Sequence, residues 1–108
     1  METGCIFCKI ITGDIPSARV FENEEIIAFK DIHPQAKHHF LIVPKKHIPM
    51  IKDLKENEGD GELVGRMVLA ARDIAKKKEL SGYRLQFNVD KSGGQEVFHI
   101  HLHLISKG

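Results

Sequence analysis

The last part of the chain alternates histidine with bulky apolar residues in "VFHIHLHLIS". His99, His101 and His103 occupy every second position, and successive side chains of a β-strand point to opposite faces. The pattern therefore predicts a strand over residues 97–105 with three imidazoles on one face. The opposite, core-facing side would carry Phe98, Ile100, Leu102 and Leu104. Solvated strand faces usually carry Thr, Lys or Glu, so three histidines indicate a site.

Short apolar runs between turn residues predict four further strands, over residues 19–22, 26–29, 39–43 and 83–89. The first two are close enough to form a hairpin through a tight Asn23-Glu24 connection. Pro44 follows the third run and would end that strand, because proline has no N–H to donate to a ladder. We expect a five-stranded antiparallel sheet.

Two helices are predicted from the remaining pattern. Residues 6–11 would form a short N-terminal helix before Gly13. Residues 61–78 would form the long helix, with Asp60 as its cap and the basic run Lys76–Lys78 at its negative end. Its apolar stripe consists of Leu63, Val64, Met67, Val68, Ala71, Ile74 and Ala75. The pattern as a whole predicts a single α+β domain over residues 1–108.

Composition narrows the possible partners. The 108 residues are 42% hydrophobic and 29% charged, which is typical of a globular protein. A formal charge of +1 argues against broad binding to nucleic acid or to an anionic membrane. No apolar stretch approaches the roughly 20 residues of a transmembrane helix, and "METGCIFCKI" lacks the features of a signal peptide. A cytoplasmic location is the expectation.

Several blocks of the sequence together resemble a known family. The run His99–Ile105, the blocks "DIHPQAKHHFLIVPKKHI" and "GYR", Asn88, and "GGQEVFHIHLHL" are similar, in order and spacing, to the histidine-triad (HIT) superfamily. The resemblance is strongest to the histidine-triad nucleotide-binding proteins that hydrolyse purine nucleoside phosphoramidates, and it extends from about Cys5 to the end. It implies a HIT-like fold and a homodimer.

The central histidine is the candidate nucleophile. A neutral imidazole, with an ordinary pKa of about 6.5, has a lone pair suited to attack on phosphorus. The resemblance implies that His101 attacks the α-phosphate and forms a nucleotidyl-histidine intermediate, which water then hydrolyses. It also implies that His103 and His39 contact phosphate oxygens or the leaving group.

A glycine-containing loop precedes the histidine segment. Ser92, Gly93 and Gly94 could expose successive N–H groups as an anion nest, although such a loop is also an ordinary turn between strands. The resemblance assigns ribose to Asp31 and a purine slot to apolar residues, some of which could equally be core. Glu96 departs from the small hydroxyl residue of many relatives. The nucleotide-binding candidates are Asp31, Ile32, Phe7, Phe29, Ile6, Ile10, Asn88, Gly94, Gln95 and Val97.

Cys5 and Cys8 have the C-x-x-C spacing of metal or redox chemistry. His47 and His99 would complete a tetrahedral zinc site if the exit of the third strand lies beside the histidine segment, and the resemblance implies such a structural zinc. Two reduced cysteines in a helix remain an alternative. A thioredoxin-like pair is disfavoured, because no strand precedes the motif.

The sequence thus predicts a hydrolase or transferase for purine nucleoside 5′-phosphoramidates that needs no catalytic metal. A dinucleoside polyphosphate hydrolase and a nucleotide-binding interaction module with little catalysis are alternatives. A zinc hydrolase with all three strand histidines as ligands is disfavoured, because the first and third would lie roughly 13 Å apart along a strand.

Overall fold

The computed structural model describes residues 4–108, which form a five-stranded antiparallel sheet and two α-helices. The sheet order is β1-β2-β3-β5-β4. The α+β fold expected from the hydrophobic pattern is confirmed. The strands are β1 (Arg19–Glu22), β2 (Ile26–Lys30), β3 (His38–Pro44), β4 (Arg84–Gln86) and β5 (Leu102–Ser106). The helices are α1 (Ile6–Thr12) and α2 (Asp60–Lys77).

The β1–β2 hairpin is closed by a side chain. Asn23 Oδ1 accepts hydrogen bonds from the backbone N–H groups of Glu25 and Ile26, at 2.9 and 2.8 Å. Asparagine commonly bonds in this way to the backbone that follows it, and this bond stabilises the turn. The two central strands, β2 and β3, are buried along almost their whole length, because the sheet is covered on both faces.

Helix α2 covers one face of the sheet. Its stripe packs as predicted at most positions, but Val68 is 39% exposed and Ala70 is buried in its place. The side chains of α2 in this core are Leu63, Met67, Ala70, Ala71, Ile74 and Ala75. The opposite face of the sheet packs against α1 in a second cluster. The candidate site lies on that second face.

The predicted cap of α2 is wrong. The helix begins at Asp60, and Gly59, with φ +74°, is the N-cap. The Asp60 carboxylate is buried and accepts hydrogen bonds from the backbone N–H of Lys55 and from Lys46 Nζ, both at 2.7 Å. A buried carboxylate is costly unless it is hydrogen-bonded, and these two bonds satisfy it. They also join the start of α2 to the segment that follows β3.

The two C-terminal strands are shorter than predicted. The run 83–89 gives only the three residues of β4, and the run 97–105 gives a strand that starts at Leu102. Residues 97–99 form a bend, and the Ile100 N–H bonds to the Ile48 carbonyl. The chain here follows the exit of β3 instead of continuing the β-ladder. Within residues 4–108, no helix combines the length and hydrophobicity of a membrane span.

Candidate active site

The alternation of the histidine segment persists although its first half is not a strand. His99 and His101 are buried and His103 is half-buried, and the Phe7 ring of α1 lies 6.1 Å from the His99 ring and 5.0 Å from the His101 ring. Phe98 is half-buried beside a surface cleft and lies outside the α2 core, contrary to expectation. The core beneath α2 includes Ile100, Leu102 and Leu104.

His101 has one nitrogen committed to the backbone. Its Nδ1 lies 2.8 Å from the carbonyl oxygen of His99. Because a carbonyl only accepts, Nδ1 carries the proton, and a neutral ring then has its lone pair on Nε2. Burial lowers the pKa of His101, which favours the neutral ring. The ring therefore has the form that nucleophilic attack requires.

His39 and His103 form a close pair beside His101. His39 Nε2 lies 2.9 Å from His103 Nδ1, and the rings of His101 and His103 are 5.0 Å apart. His39 Nδ1 accepts a hydrogen bond from the backbone N–H of Gln35 at 3.1 Å. Burial lowers the pKa of His39, and burial together with the neighbouring His101 and His39 lowers that of His103 to about 4. Both shifts favour the neutral form of the ring.

Asp31 lies beside this pair of histidines, in the loop between β2 and β3. Its Oδ1 accepts a hydrogen bond from the His33 N–H at 2.8 Å, and its Oδ2 lies 3.4 Å from His39 Nε2. Each carboxylate oxygen has two lone pairs, so both can accept a further hydrogen bond. The half-buried carboxylate is therefore able to accept from two neighbouring hydroxyl groups.

Two of the three N–H groups predicted to form an anion nest have partners within the loop. Residues Lys91–Gly93 form a 3-10 turn, and the N–H groups of Gly93, Gly94 and Gln95 bond to carbonyls of Asp90 and Lys91 at 3.0–3.1 Å. These donors are engaged within the loop. The sequence could not show this, because the same glycines permit either a nest or a closed turn.

Asn88 and Gln95 shape the loop with their side-chain amides. Asn88 Nδ2 donates to the Gly93 carbonyl at 2.8 Å. A Cβ at Gly94, where φ is +88°, would lie 3.1 Å from that nitrogen. Gln95 Nε2 donates to the carbonyls of Pro49 and Val97, and its Oε1 accepts from the Asp90 N–H. Gln95 thus acts within the protein as a brace for the loop.

Some of the candidate purine-slot residues are exposed and the others are buried or partly buried. Ile32 is 83% exposed and Ile6 is 44% exposed, so both offer apolar surface to a ligand. Val97 is partly buried against the second cluster. That cluster includes the candidates Phe7, Ile10 and Phe29. The partly buried Ile15 packs there too.

The four predicted metal ligands come together. Cys5 is the N-cap of α1, Cys8 is one turn later, and His47 and His99 face them from the two neighbouring segments. The Sγ–Nδ1 distances are 3.4 Å for Cys5–His99 and Cys8–His47, and 3.6 Å for Cys8–His99; the two Nδ1 atoms are 3.1 Å apart. Tetrahedral zinc separates sulfur and nitrogen ligands by about 3.6 Å and two nitrogens by about 3.3 Å.

The tautomer of His99 also suits a metal. Its Nε2 lies 2.7 Å from the Pro44 carbonyl, so Nε2 carries the proton and the Nδ1 lone pair faces the thiols. A hydrogen bond from the outer nitrogen to a carbonyl is the usual support of a metal-bound histidine. The donor set, with two thiols and two imidazoles, fits zinc.

A second group of potential ligands does not fit a metal. Asp31, His39 and His103 place one donor atom each within 4.8 Å of one another. A metal on His39 Nε2 would need that nitrogen deprotonated, yet Nδ1 accepts from the Gln35 N–H. The ring would have to become an anion. Since His99 belongs to the first group, His103 to the second and His101 to neither within residues 4–108, a single ion held by all three is not supported.

The sequence gives no signal for the roles of Gln35 and Pro44. Both act through main-chain atoms, the N–H of Gln35 on His39 and the carbonyl of Pro44 on His99. No side-chain pattern marks such a role.

Known proteins are similar to this chain over nearly its whole length. The family model described as "Scavenger mRNA decapping enzyme C-term binding" matches residues 4–108. A purine nucleoside phosphoramidase of Escherichia coli K12 is 45% identical over 108 residues, which cover 97% of this chain and 88% of that protein.

Two solved structures share the fold. A HIT family hydrolase from Legionella pneumophila Philadelphia 1 is 50% identical, with a TM-score of 0.92 over 97% of this chain and 94% of that one. A histidine triad protein from Clostridium difficile is 38% identical, with a TM-score of 0.93 over 98% and 92% of the two chains. The chain therefore belongs to the histidine-triad (HIT) family.

Proposed function

We propose that this HIT-family protein hydrolyses purine nucleoside 5′-phosphoramidates through a covalent intermediate on His101. The observation that carries the proposal is the 2.8 Å bond from His101 Nδ1 to the His99 carbonyl, which leaves a lone pair on Nε2 beside His103. The substrate class is that named for the Escherichia coli relative.

The reaction would proceed in two displacements at phosphorus. His101 Nε2 attacks the α-phosphorus, the P–N bond of the substrate breaks, and the amine leaves with that electron pair and takes a proton from solvent. Water then attacks the same phosphorus, and the bond to His101 breaks. The nucleoside monophosphate is released and the histidine regains its lone pair.

Substrate recognition is assigned to three groups. Asp31 would accept hydrogen bonds from the ribose hydroxyls. The apolar residues Ile6, Ile32 and Phe7 would contact the purine. Asn88 and the backbone around Gly94 would lie along the phosphate, held in place by Gln95.

We also propose a structural zinc held by Cys5, Cys8, His47 and His99. The ion would join the start of α1 to the exit of β3 and to the histidine segment. Its contribution is to stabilise the fold around His101, and no step of the reaction passes through it.

Two further features remain proposals. We expect the protein in the cytoplasm. We also expect a homodimer in which the edge strand β4 and helix α2 contact the same elements of the second copy. Leu85 of β4 is 39% exposed and pairs with Leu104, so it lies on the face that α2 covers. Leu69 of α2 is 47% exposed.

The proposed activity is tested with adenosine 5′-phosphoramidate. Wild-type protein should release AMP, with or without a chelator for weakly bound metal, and His101→Ala should lose about 10³-fold or more of kcat. His33→Ala is the matched control, since that side chain is exposed and its activity should stay within about twofold.

Three outcomes would contradict the proposal. Activity that survives in His101→Ala would exclude a covalent intermediate on that residue. Faster cleavage of a dinucleoside polyphosphate would favour the alternative hydrolase. Binding of AMP without turnover of either substrate would indicate an interaction module.

A further inference from the structure

The strongest unassigned feature of the site is a chain of hydrogen bonds that begins at a backbone amide. It runs from the Gln35 N–H to His39 Nδ1 at 3.1 Å, and from His39 Nε2 to His103 Nδ1 at 2.9 Å. Gln35 belongs to the loop between β2 and β3, whereas His103 lies in β5. These hydrogen bonds therefore connect the β2–β3 loop to the candidate active site across the neighbouring strands β3 and β5.

The polarity of the first bond is fixed. A backbone N–H can only donate, so His39 Nδ1 must hold a lone pair. A neutral imidazole has one proton, which is then on Nε2. His39 is only 4% exposed, and burial lowers its pKa, so the neutral ring is the form to consider at pH 7.

The polarity of the second bond follows from the first. His39 Nε2–H points to two acceptors, His103 Nδ1 at 2.9 Å and Asp31 Oδ2 at 3.4 Å. The shorter contact lies within ordinary hydrogen-bond range and the longer one does not. His103 Nδ1 therefore accepts, and the proton of a neutral His103 is on its outer nitrogen, Nε2.

We infer that Gln35 and His39 are positioning residues that fix His103 as a hydrogen-bond donor through Nε2. This inference rests on the proposed function for its role in catalysis. The two histidines at the reacting phosphorus need opposite tautomers, a lone pair on Nε2 of His101 and a proton on Nε2 of His103. The His99 carbonyl sets the first, and the Gln35 amide, acting through His39, sets the second.

The fixed donor has a defined task. His103 Nε2–H would donate to a non-bridging phosphate oxygen as negative charge develops there, and it would keep its proton throughout. A His103 ring with the other tautomer would present a lone pair to that oxygen, which is repulsive. In this assignment His39 need not touch the substrate.

The inference is tested by long-range 1H–15N NMR of uniformly labelled, substrate-free protein at pH 7. We expect Nε2–H tautomers for His39 and His103 and the Nδ1–H tautomer for His101. In His39→Phe, which has no ring nitrogen, the signals of His103 should move toward the average of the two tautomers. The Gln35 amide should also exchange with solvent faster.

Two variants support the measurement. His39→Asn keeps an acceptor for the Gln35 N–H but cannot reach His103, so it should give the same mixing and guards against poor folding of His39→Phe. His38→Phe, at the neighbouring position of β3, should leave the His103 signals unchanged. The kcat of His39→Phe should fall by less than the about 100-fold that complete loss of a charge-stabilising donor costs.

A proton on His103 Nδ1 in the wild type would overturn the inference, and so would unchanged His103 signals in both His39 variants. These results do not depend on the substrate. If the tautomers are as expected but the protein turns over no substrate, the proposed function is wrong and the inference stands. If turnover requires His101 but the tautomers differ from those expected, the positioning role of Gln35 and His39 is wrong and the proposed function stands.

Discussion

Main-chain groups decide which nitrogen carries the proton on three of the buried imidazoles. Carbonyls of Pro44 and His99 place it on Nε2 of His99 and on Nδ1 of His101, and the Gln35 N–H keeps it off Nδ1 of His39. The alternation in the sequence predicts that the histidines share a side of the chain. It cannot assign protons, because the partners come from distant segments and carry no side-chain signature.

Protonation of His103 should destabilise the fold. Its pKa is about 4 in the folded protein against an ordinary 6.5, so between these values the unfolded chain binds a proton that the folded chain does not. Stability rises with pH wherever the unfolded state binds more protons, and it should therefore fall as the pH drops from about 6.5 to 4. Urea unfolding at pH 7.5 and 4.5 measures the loss.

A variant isolates the contribution of this one ring. His103→Asn cannot titrate, so its loss between the two pH values should be smaller than that of the wild type by about 1–2 kcal/mol, allowing for partial exposure. His33→Asn, changed at an exposed ring, should lose as much as the wild type. Equal losses in all three proteins would show that His103 is not the group that titrates.

At the scale of elements, the hydrophobic pattern is informative where an element buries one face or both. It located α1, β1, β2 and β3 to within one residue at each end. It overestimated β5, because the pattern of alternating side chains continues through residues 97–101 while the backbone there bends toward the exit of β3. From His99 onward the alternation predicts which face each side chain takes, but it does not predict which backbone groups pair.

Helix α1 supplies the thiols of the candidate metal centre, and its start allows a clean test. Cys5 caps the helix by accepting from the Cys8 N–H, and serine is also a good cap, so Cys5→Ser should remove a metal ligand without removing the cap. Wild-type protein should contain about one zinc per chain by elemental analysis. Cys5→Ser should contain almost none and should unfold at lower temperature.

The stabilisation by zinc depends on the concentration of the free ion. At a hundredfold excess over Kd, zinc should stabilise the wild type by about 2.7 kcal/mol and Cys5→Ser hardly at all. Lys9→Ser, on the exposed side of α1, is the control and should retain both metal and stability. Zinc-free wild-type protein that unfolds at the same temperature as the metal-loaded form would refute a stabilising metal.

At the scale of the whole molecule, exposed apolar side chains stand on the side of the sheet that α2 covers. Leu85 lies on the short edge strand β4, and Leu69 lies on α2. An open strand edge with an apolar residue is a surface that proteins usually pair or cover. A second copy of the chain would cover the side chains of Leu85 and Leu69, because a two-fold interface places the same surface of each copy against the other.

Sedimentation velocity should therefore give the mass of two chains for the wild type. Leu85→Asp should shift the protein toward the mass of one chain, because it places a charge at the proposed interface. Glu62→Asp, in the exposed first turn of α2, should remain dimeric. A monomeric wild type, or a dimeric Leu85→Asp protein, would exclude this interface.

The bend at residues 97–99 has a chemical consequence. Had β5 continued as a regular ladder through this region, the oxygen of residue 99 would have pointed sideways to a neighbouring strand, as main-chain acceptors in sheets do. Leaving the ladder turns that oxygen toward the ring two positions later. Irregularity at this point converts an ordinary structural acceptor into the atom that prepares the nucleophile.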